Sequence, residues 1–137
     1  MAVKATTFEV MSEAECRRLL AEEEVGRVAF IDHDFPVILP VNHVLDNNVI
    51  TIRTDTGAKF DHVPLRNVAF EVDGVEHTSR SGWSVLVQGV GQDISNALGT
   101  RYEDLRRRGL DSWPPSERTH WLTIEILRIS GQRIVRT

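Results

Sequence analysis

The chain has 137 residues, of which 41% are hydrophobic and 26% charged, a composition typical of a folded globular protein and not of a disordered or fibrous one. Sixteen basic residues against twenty acidic ones give a formal net charge of -4, which argues against general affinity for nucleic acid or anionic lipid. No apolar run approaches the roughly 20 residues of a membrane-spanning helix, so we expect a single domain over residues 1–137 that is neither secreted nor inserted in a membrane.

Helix and strand signals alternate in the first half of the chain. Ser12 and Glu15 have the spacing of a capping box, in which both side chains satisfy unpaired amides at a helix start, and Gly26 ends the predicted helix. Three runs rich in strand-forming residues follow, at 27–31, 36–44 and 49–54. Because the turn at 46–48 joins the second and third runs tightly, these two strands must be antiparallel neighbours.

The second half of the chain continues this pattern. Strands are predicted at 68–73, 83–90 and 121–129, a helical turn at 58–62 and a surface helix at 100–108. The segment 74–82 is polar and contains two glycines, which predicts an exposed loop. About six short strands with a minority of helix indicate a mainly β, largely antiparallel barrel with a few short helices.

The most informative stretch lies where the third predicted strand ends and a helical turn begins. Arg53, Thr54 and Lys59 supply a guanidinium, a hydroxyl and an ammonium there, and Gly57 permits close approach. Together with free amides at a helix start, these groups suit a phosphate monoester, whose charge is about -1.5 to -2. The spacing is not that of a P-loop. A turn with solvated Arg and Lys side chains is the alternative interpretation.

This stretch is one of five segments that together resemble a known family. In chain order they are Gly-Arg-Val-Ala-Phe at 26–30, Phe-Pro-Val-Ile-Leu-Pro-Val-Asn at 35–42, Arg-Thr-x-x-Gly-x-Lys at 53–59, Phe-Glu-Val-Asp at 70–73 and Ser-Gly-Trp-Ser-Val-Leu-Val-Gln-Gly at 81–89. In this order and spacing, residues 12–95 resemble the pyridoxamine 5'-phosphate oxidase-like family of flavin-binding split barrels. The resemblance implies a homodimer of split barrels with FMN bound in two equivalent clefts at the subunit interface.

The same resemblance assigns seven cofactor-binding positions. The phosphate would be bound by Arg53, Thr54 and Lys59. The isoalloxazine ring would contact the backbone around Val41 and the side chain of Asn42, and the facing wall of the cleft would be formed by Trp83 and Ser84. For Trp83 the alternative is a core aromatic residue. For Ser84 and Asn42 the alternative is an ordinary hydrogen bond within the sheet.

Departures from the family pattern restrict the expected activity. Ile38 and His43 stand where true pyridoxamine phosphate oxidases have an Arg and a Lys on the second strand, and the terminal Arg-Leu-His substrate motif is missing. The chain therefore resembles the short, diverse relatives instead, which include flavin reductases, nitroimidazole reductases and binders of the deazaflavin coenzyme. A bound flavin supplies the hydride chemistry, so no dedicated acid or base is required and no catalytic residue is assigned.

Four other residues of the chain are polar or reactive enough to take part in chemistry. His43 is either a proton donor near the ring or a polar residue at the barrel surface, and Glu71 and Asp73 share a strand face that we expect to be solvated or salt-bridged. Cys16, the only cysteine, has an expected packing role and is compatible with a reducing cytoplasm. No His-x-x-x-His or Cys-x-x-Cys pair is present, so no metal site is predicted.

These observations favour a cytoplasmic, FMN-dependent oxidoreductase that acts on a small organic or flavin-like substrate. Two alternatives remain open. One is a deazaflavin-dependent reductase on the same fold, whose cofactor also carries a phosphate. The other is a dimer that binds FMN, haem or a related ligand without turnover.

Overall fold

A computed structural model describes residues 5–54, 67–111 and 120–136. The helices and strands in these ranges are β1 (Thr6–Val10), α1 (Glu13–Glu22), β2 (Val25–Asp32), β3 (Phe35–Asp46), β4 (Val49–Thr54), β5 (Asn67–Glu76), β6 (Ser81–Asp93), α2 (Thr100–Arg106) and β7 (His120–Arg136). The predicted helical turn at 58–62 lies outside the described residues, as does Lys59.

The strands form one antiparallel sheet that closes on itself. Its order is β1-β7-β4-β3-β2-β5-β6, and β6 also pairs with β7, so the six strands from β2 to β7 make a barrel. β1 is added at the edge, beside the last residues of β7. The predicted antiparallel split barrel is therefore confirmed. Closure satisfies the backbone amides and carbonyls that an open sheet would leave unpaired at its edges.

Alternation of apolar and polar residues along the strands fills the barrel. The side chains of this core from β2, β5 and β6 are Val28, Phe30, Val68, Phe70, Val72, Val85 and Val87, all buried. Burying each such side chain stabilises the fold by roughly 1.5–3 kcal/mol. The intervening residues of the same strands point outward, and they determine the surface on which a site can form.

Helix α1 packs on the barrel through Cys16, Leu19 and Leu20. The Oγ of Ser12 accepts a hydrogen bond of 3.2 Å from the Glu15 amide, as the capping box predicts. The carboxylate of Glu15, however, pairs with Arg133 of β7, so it ties the helix to the sheet. Within the described ranges, neither helix has the length and apolar character needed to cross a membrane.

One expectation about the strands was wrong, and one strand was not predicted. The segment 74–82 is not an exposed loop, because β5 continues to Glu76 and β6 already begins at Ser81. Gly74 is a packing position: a Cβ there would lie 2.6 Å from Nε1 of Trp83, its cross-strand partner. β1 had no prediction, because all five of its residues are exposed and show no alternation of buried and exposed positions.

Candidate functional site

Asn42 of β3 and Arg53 of β4 are direct antiparallel partners, and both side chains reach the segment that follows α2. Nδ2 of Asn42 donates a 2.9 Å hydrogen bond to the carbonyl of Asp111. Nη1 of Arg53 donates a 2.9 Å hydrogen bond to the carbonyl of Leu110. The structure thus brings together two of the residues that the sequence assigned to cofactor binding.

The Arg53 guanidinium is only partly satisfied. Its central carbon lies 5.4 Å from the centroid of the Trp121 ring, on the neighbouring strand β7. Its Nε is buried and has no hydrogen-bond partner in the part of the chain that the structure describes. A buried donor without an acceptor costs about 1–3 kcal/mol. Because a guanidinium binds carboxylate or phosphate oxygens through paired N–H groups, this arrangement suits an anionic ligand.

Thr54 and Val41 point away from this cation. Strand alternation directs Thr54 to the opposite face of β4 from Arg53, where it is fully buried, and its hydroxyl lacks a partner among the described residues. The Val41 side chain lies in the core, while its backbone is paired with Gly26 of β2. Contact of these two residues with a cofactor remains a prediction, as does contact of Lys59, which lies outside the described residues.

Trp83 and Ser84 lie on β6, three strands away from Asn42 in the order β3-β2-β5-β6. Trp83 is partly buried and packs against the core. It also lines a pocket of about 260 Å³ together with the outward-pointing Ser84, beside Asp73. When the strand register is continued, one outward-facing row crosses β3, β2, β5 and β6, and it consists of Asn42, Val25, Asp73 and Ser84. The ends of that row are three strand spacings of about 4.8 Å apart, or about 14 Å measured along the curved sheet, so a single chain does not bring Asn42 and Ser84 into contact.

A charged cluster occupies this row and the next. One N–H donor group of Arg27, Nη1, lies 3.3 Å from both the Glu71 and the Asp73 carboxylates, which confirms the expected salt-bridged face. Partial burial and the neighbouring Asp73 carboxylate raise the pKa of Glu71 to about 7, and Arg27 opposes this effect. The cluster therefore gains or loses one proton near neutral pH.

His43 does not lie at the barrel surface, so that expectation was wrong. It is buried, its Nε2 lies 2.8 Å from the Leu20 carbonyl, and its ring meets the edge of Phe70 at a centroid distance of 4.8 Å. Burial lowers its pKa, which favours the neutral ring with Nε2 donating to Leu20. His43 connects α1 to β3 and is not placed to donate a proton to a ligand on the outer surface.

The Leu110 and Asp111 carbonyls have no signal in the sequence. Every residue has a backbone carbonyl, so only the folded chain shows that these two carbonyls face Arg53 and Asn42. The partnership of Asn42 with Arg53 does have a signal. A tight turn at 46–48 fixes the register of the two strands that it joins.

Known proteins are similar to this chain in both sequence and fold. The family model described as pyridoxamine 5'-phosphate oxidase matches residues 12–133. The uncharacterized protein Rv0080 of Mycobacterium tuberculosis is 34% identical over 129 residues, covering 88% of this chain and 82% of its own. The structure of a candidate pyridoxamine 5'-phosphate oxidase from Corynebacterium glutamicum has a TM-score of 0.79 at 26% identity, and the match covers 94% of this chain and 99% of that one. The structure of the FAD binding protein of Mycobacterium smegmatis has a TM-score of 0.72 at 28% identity, and the match covers 91% of this chain and 98% of that one.

Proposed function

Because the chain belongs to the pyridoxamine 5'-phosphate oxidase family, we propose that it binds FMN and acts as an oxidoreductase on a small organic or flavin-like substrate. The observation that carries this proposal is the Arg53 guanidinium, which is buried at Nε without an acceptor among the described residues and lies beside Asn42. The similarity to an FAD binding protein at 28% identity supports a flavin as the ligand class.

The protein's own residues have a limited task in such a reaction. When bound, the flavin supplies the hydride chemistry. Arg53 would bind its phosphate and Asn42 would hydrogen-bond the polar edge of the ring, while Ser84 and Trp83 would line the facing wall. No described residue is assigned as a proton donor, because His43 is buried on the opposite side of β3 from Asn42.

We further propose that a second copy of the chain completes the site. On one chain, Asn42 and Ser84 are about 14 Å apart along the strand register. In a two-fold dimer, the Asn42–Arg53 pair of one protomer would face Trp83 and Ser84 of its partner, which gives two equivalent clefts.

An apolar surface suited to this dimer lies on the same side of the sheet. We use the term outer face for the outward-pointing side chains of β3, β2, β5 and β6. Its exposed apolar residues are Val25, Ile31, Ile38, Val75, Leu86 and Val90, and Leu127 of β7 borders it. Such a patch would be unusual on a monomer. A stable interface buries about 800 Å² per partner, so the outer face is where a second copy would be expected.

Flavin titration of the purified protein tests the cofactor. We expect FMN to bind with the absorbance change of a protein-bound flavin, and Arg53→Ala to raise the Kd roughly 10- to 100-fold, since a hydrogen bond to a charged group contributes about 1.5–3 kcal/mol. Arg18→Ala is the matched control, because Arg18 is exposed and pairs only with acidic residues of its own helix among the residues described. Wild-type protein that takes up no flavin would refute the proposal.

The relative described as an FAD binding protein makes FAD the second candidate cofactor. Competitive titration with FMN, FAD and a deazaflavin coenzyme ranks the three directly. A flavin that binds but is reduced by no nicotinamide or deazaflavin donor would instead favour a binding protein without turnover.

A further inference from the structure

Residues 107–111, which we call the strap, leave α2 and cross to the Asn42–Arg53 pair. Their starting point is fixed, because Nη1 of Arg106 donates to the carbonyls of Ile94 at 2.6 Å and Ala97 at 3.0 Å. Three residues later, Gly109 has a φ of +60°, and a Cβ added to it would meet no described atom within 4 Å. Glycine is therefore favoured there by backbone conformation and not by lack of space.

The far end of the strap is held by the very side chains that the proposed function assigns to the cofactor. The Leu110 carbonyl accepts from Arg53 and the Asp111 carbonyl from Asn42, both at 2.9 Å. The Leu110 side chain is only 8% exposed, so it anchors the strap by burial as well.

This closed arrangement satisfies Arg53 poorly. A neutral carbonyl takes one of its N–H groups, while Nε stays buried without an acceptor among the described residues. A phosphate would offer Arg53 an opposite charge and paired hydrogen bonds, which a single neutral carbonyl cannot supply. A phosphate-bearing ligand and the strap therefore compete for the same guanidinium.

We propose that the strap is a gate over the cofactor site, closed while Asn42 and Arg53 hold it as in this structure, and opened by rotation at Gly109 when the phosphate of a flavin nucleotide binds. This inference rests on the proposed function. It predicts that the measured affinity is lower than that of the open form, because only the open fraction of the protein is competent to bind.

Gly109→Ala tests the gate without removing any contact. Alanine disfavours a φ of +60° and meets no described atom, so the closed strap should lose stability relative to open conformations. We expect FMN to associate faster and to bind about fivefold more tightly than to wild type. Gly99→Ala is the matched control, since Gly99 also has a positive φ, of +119°, but lies at the other end of α2. Its FMN affinity should remain within twofold of wild type.

Leu110→Ala gives a second, independent perturbation, because it removes the buried anchor and keeps the carbonyl. It should also increase the FMN association rate several-fold. Unchanged or weaker FMN binding in both Gly109→Ala and Leu110→Ala, with wild type binding normally, overturns the gate and leaves the proposed function intact. Faster and tighter FMN binding by these two variants than by wild type supports the gate. Absence of binding by every variant overturns the proposed function and the gate with it.

Discussion

Replacing Glu71 by glutamine removes the titratable group at the centre of the Arg27–Glu71–Asp73 cluster and leaves its hydrogen bonds possible. The amide oxygen can still accept from Arg27, and the amide nitrogen can donate to Asp73, as the protonated carboxyl does. Glu71→Gln therefore mimics the protonated state of Glu71 at every pH. We expect it to change how stability depends on pH, while the fold is kept.

The direction follows from the pKa of Glu71 in the two states. In the folded chain it is about 7, against an ordinary value of 4.5. Between these values the folded protein holds more protons than the unfolded one, so the free energy of unfolding falls as the pH rises. A pKa change of this size corresponds to roughly 3 kcal/mol for a fully shielded group. Because the Glu71 side chain is 35% exposed, screening by solvent reduces the expected loss to about 1–2 kcal/mol.

Urea unfolding at fixed protein concentration, at pH 5, 6, 7 and 8, measures this loss. Wild type should become less stable across the series, whereas Glu71→Gln should be nearly as stable as wild type at pH 5 and more stable at pH 8. Glu22→Gln, an exposed position on α1, should keep the wild-type dependence on pH. A wild-type stability that is flat or rises between pH 5 and 8, or the wild-type slope in Glu71→Gln, would contradict the reasoning.

Three further substitutions test the packing, the interface and the site. Gly74→Val should lower the urea midpoint by an amount equivalent to about 1–3 kcal/mol, because its side chain would collide with Trp83; wild-type stability would contradict this account. Ile38→Glu, at a position 66% exposed, should shift sedimentation toward monomer while Leu98→Glu does not; an unchanged dimer would exclude this part of the outer face as the interface. Arg53→Lys should still weaken FMN binding about tenfold in a titration, because an ammonium cannot form paired hydrogen bonds; affinity equal to wild type would show that charge alone suffices.

The barrel could be predicted because most of its strands have one face in the core. β4 shows why: Ile50 and Ile52 alternate with Thr51 and Arg53, and the strand ends where the sequence predicts. β1 could not be found in this way, since none of its side chains is buried. The loop predicted around Gly74 was wrong for a related reason. Glycine marks turns in sequence, but here its missing side chain makes room for Trp83, which is a contact between strands.

The candidate site could be predicted only where one hairpin builds it. Asn42 and Arg53 are opposite each other because the turn at 46–48 sets their register. Their relation to Leu110 and Asp111 depends on how a distant connection crosses the barrel, which no local pattern encodes. The same limit applies to Trp83 and Ser84: strand alternation predicts opposite faces for them, and only the folded chain shows that both line one pocket.

The spacing of the outward-facing row links the cofactor proposal to the dimer proposal. Asp73 lies between Asn42 and Ser84 on a single chain, so an anionic flavin that touched both residues of one protomer would have to lie across a carboxylate paired with Arg27. Repulsion from that carboxylate disfavours such a pose. Contact with Ser84 of the partner avoids it. If Ile38→Glu yields a folded monomer, we therefore expect that monomer to bind FMN weakly, and Ser84→Ala to have no further effect on its affinity.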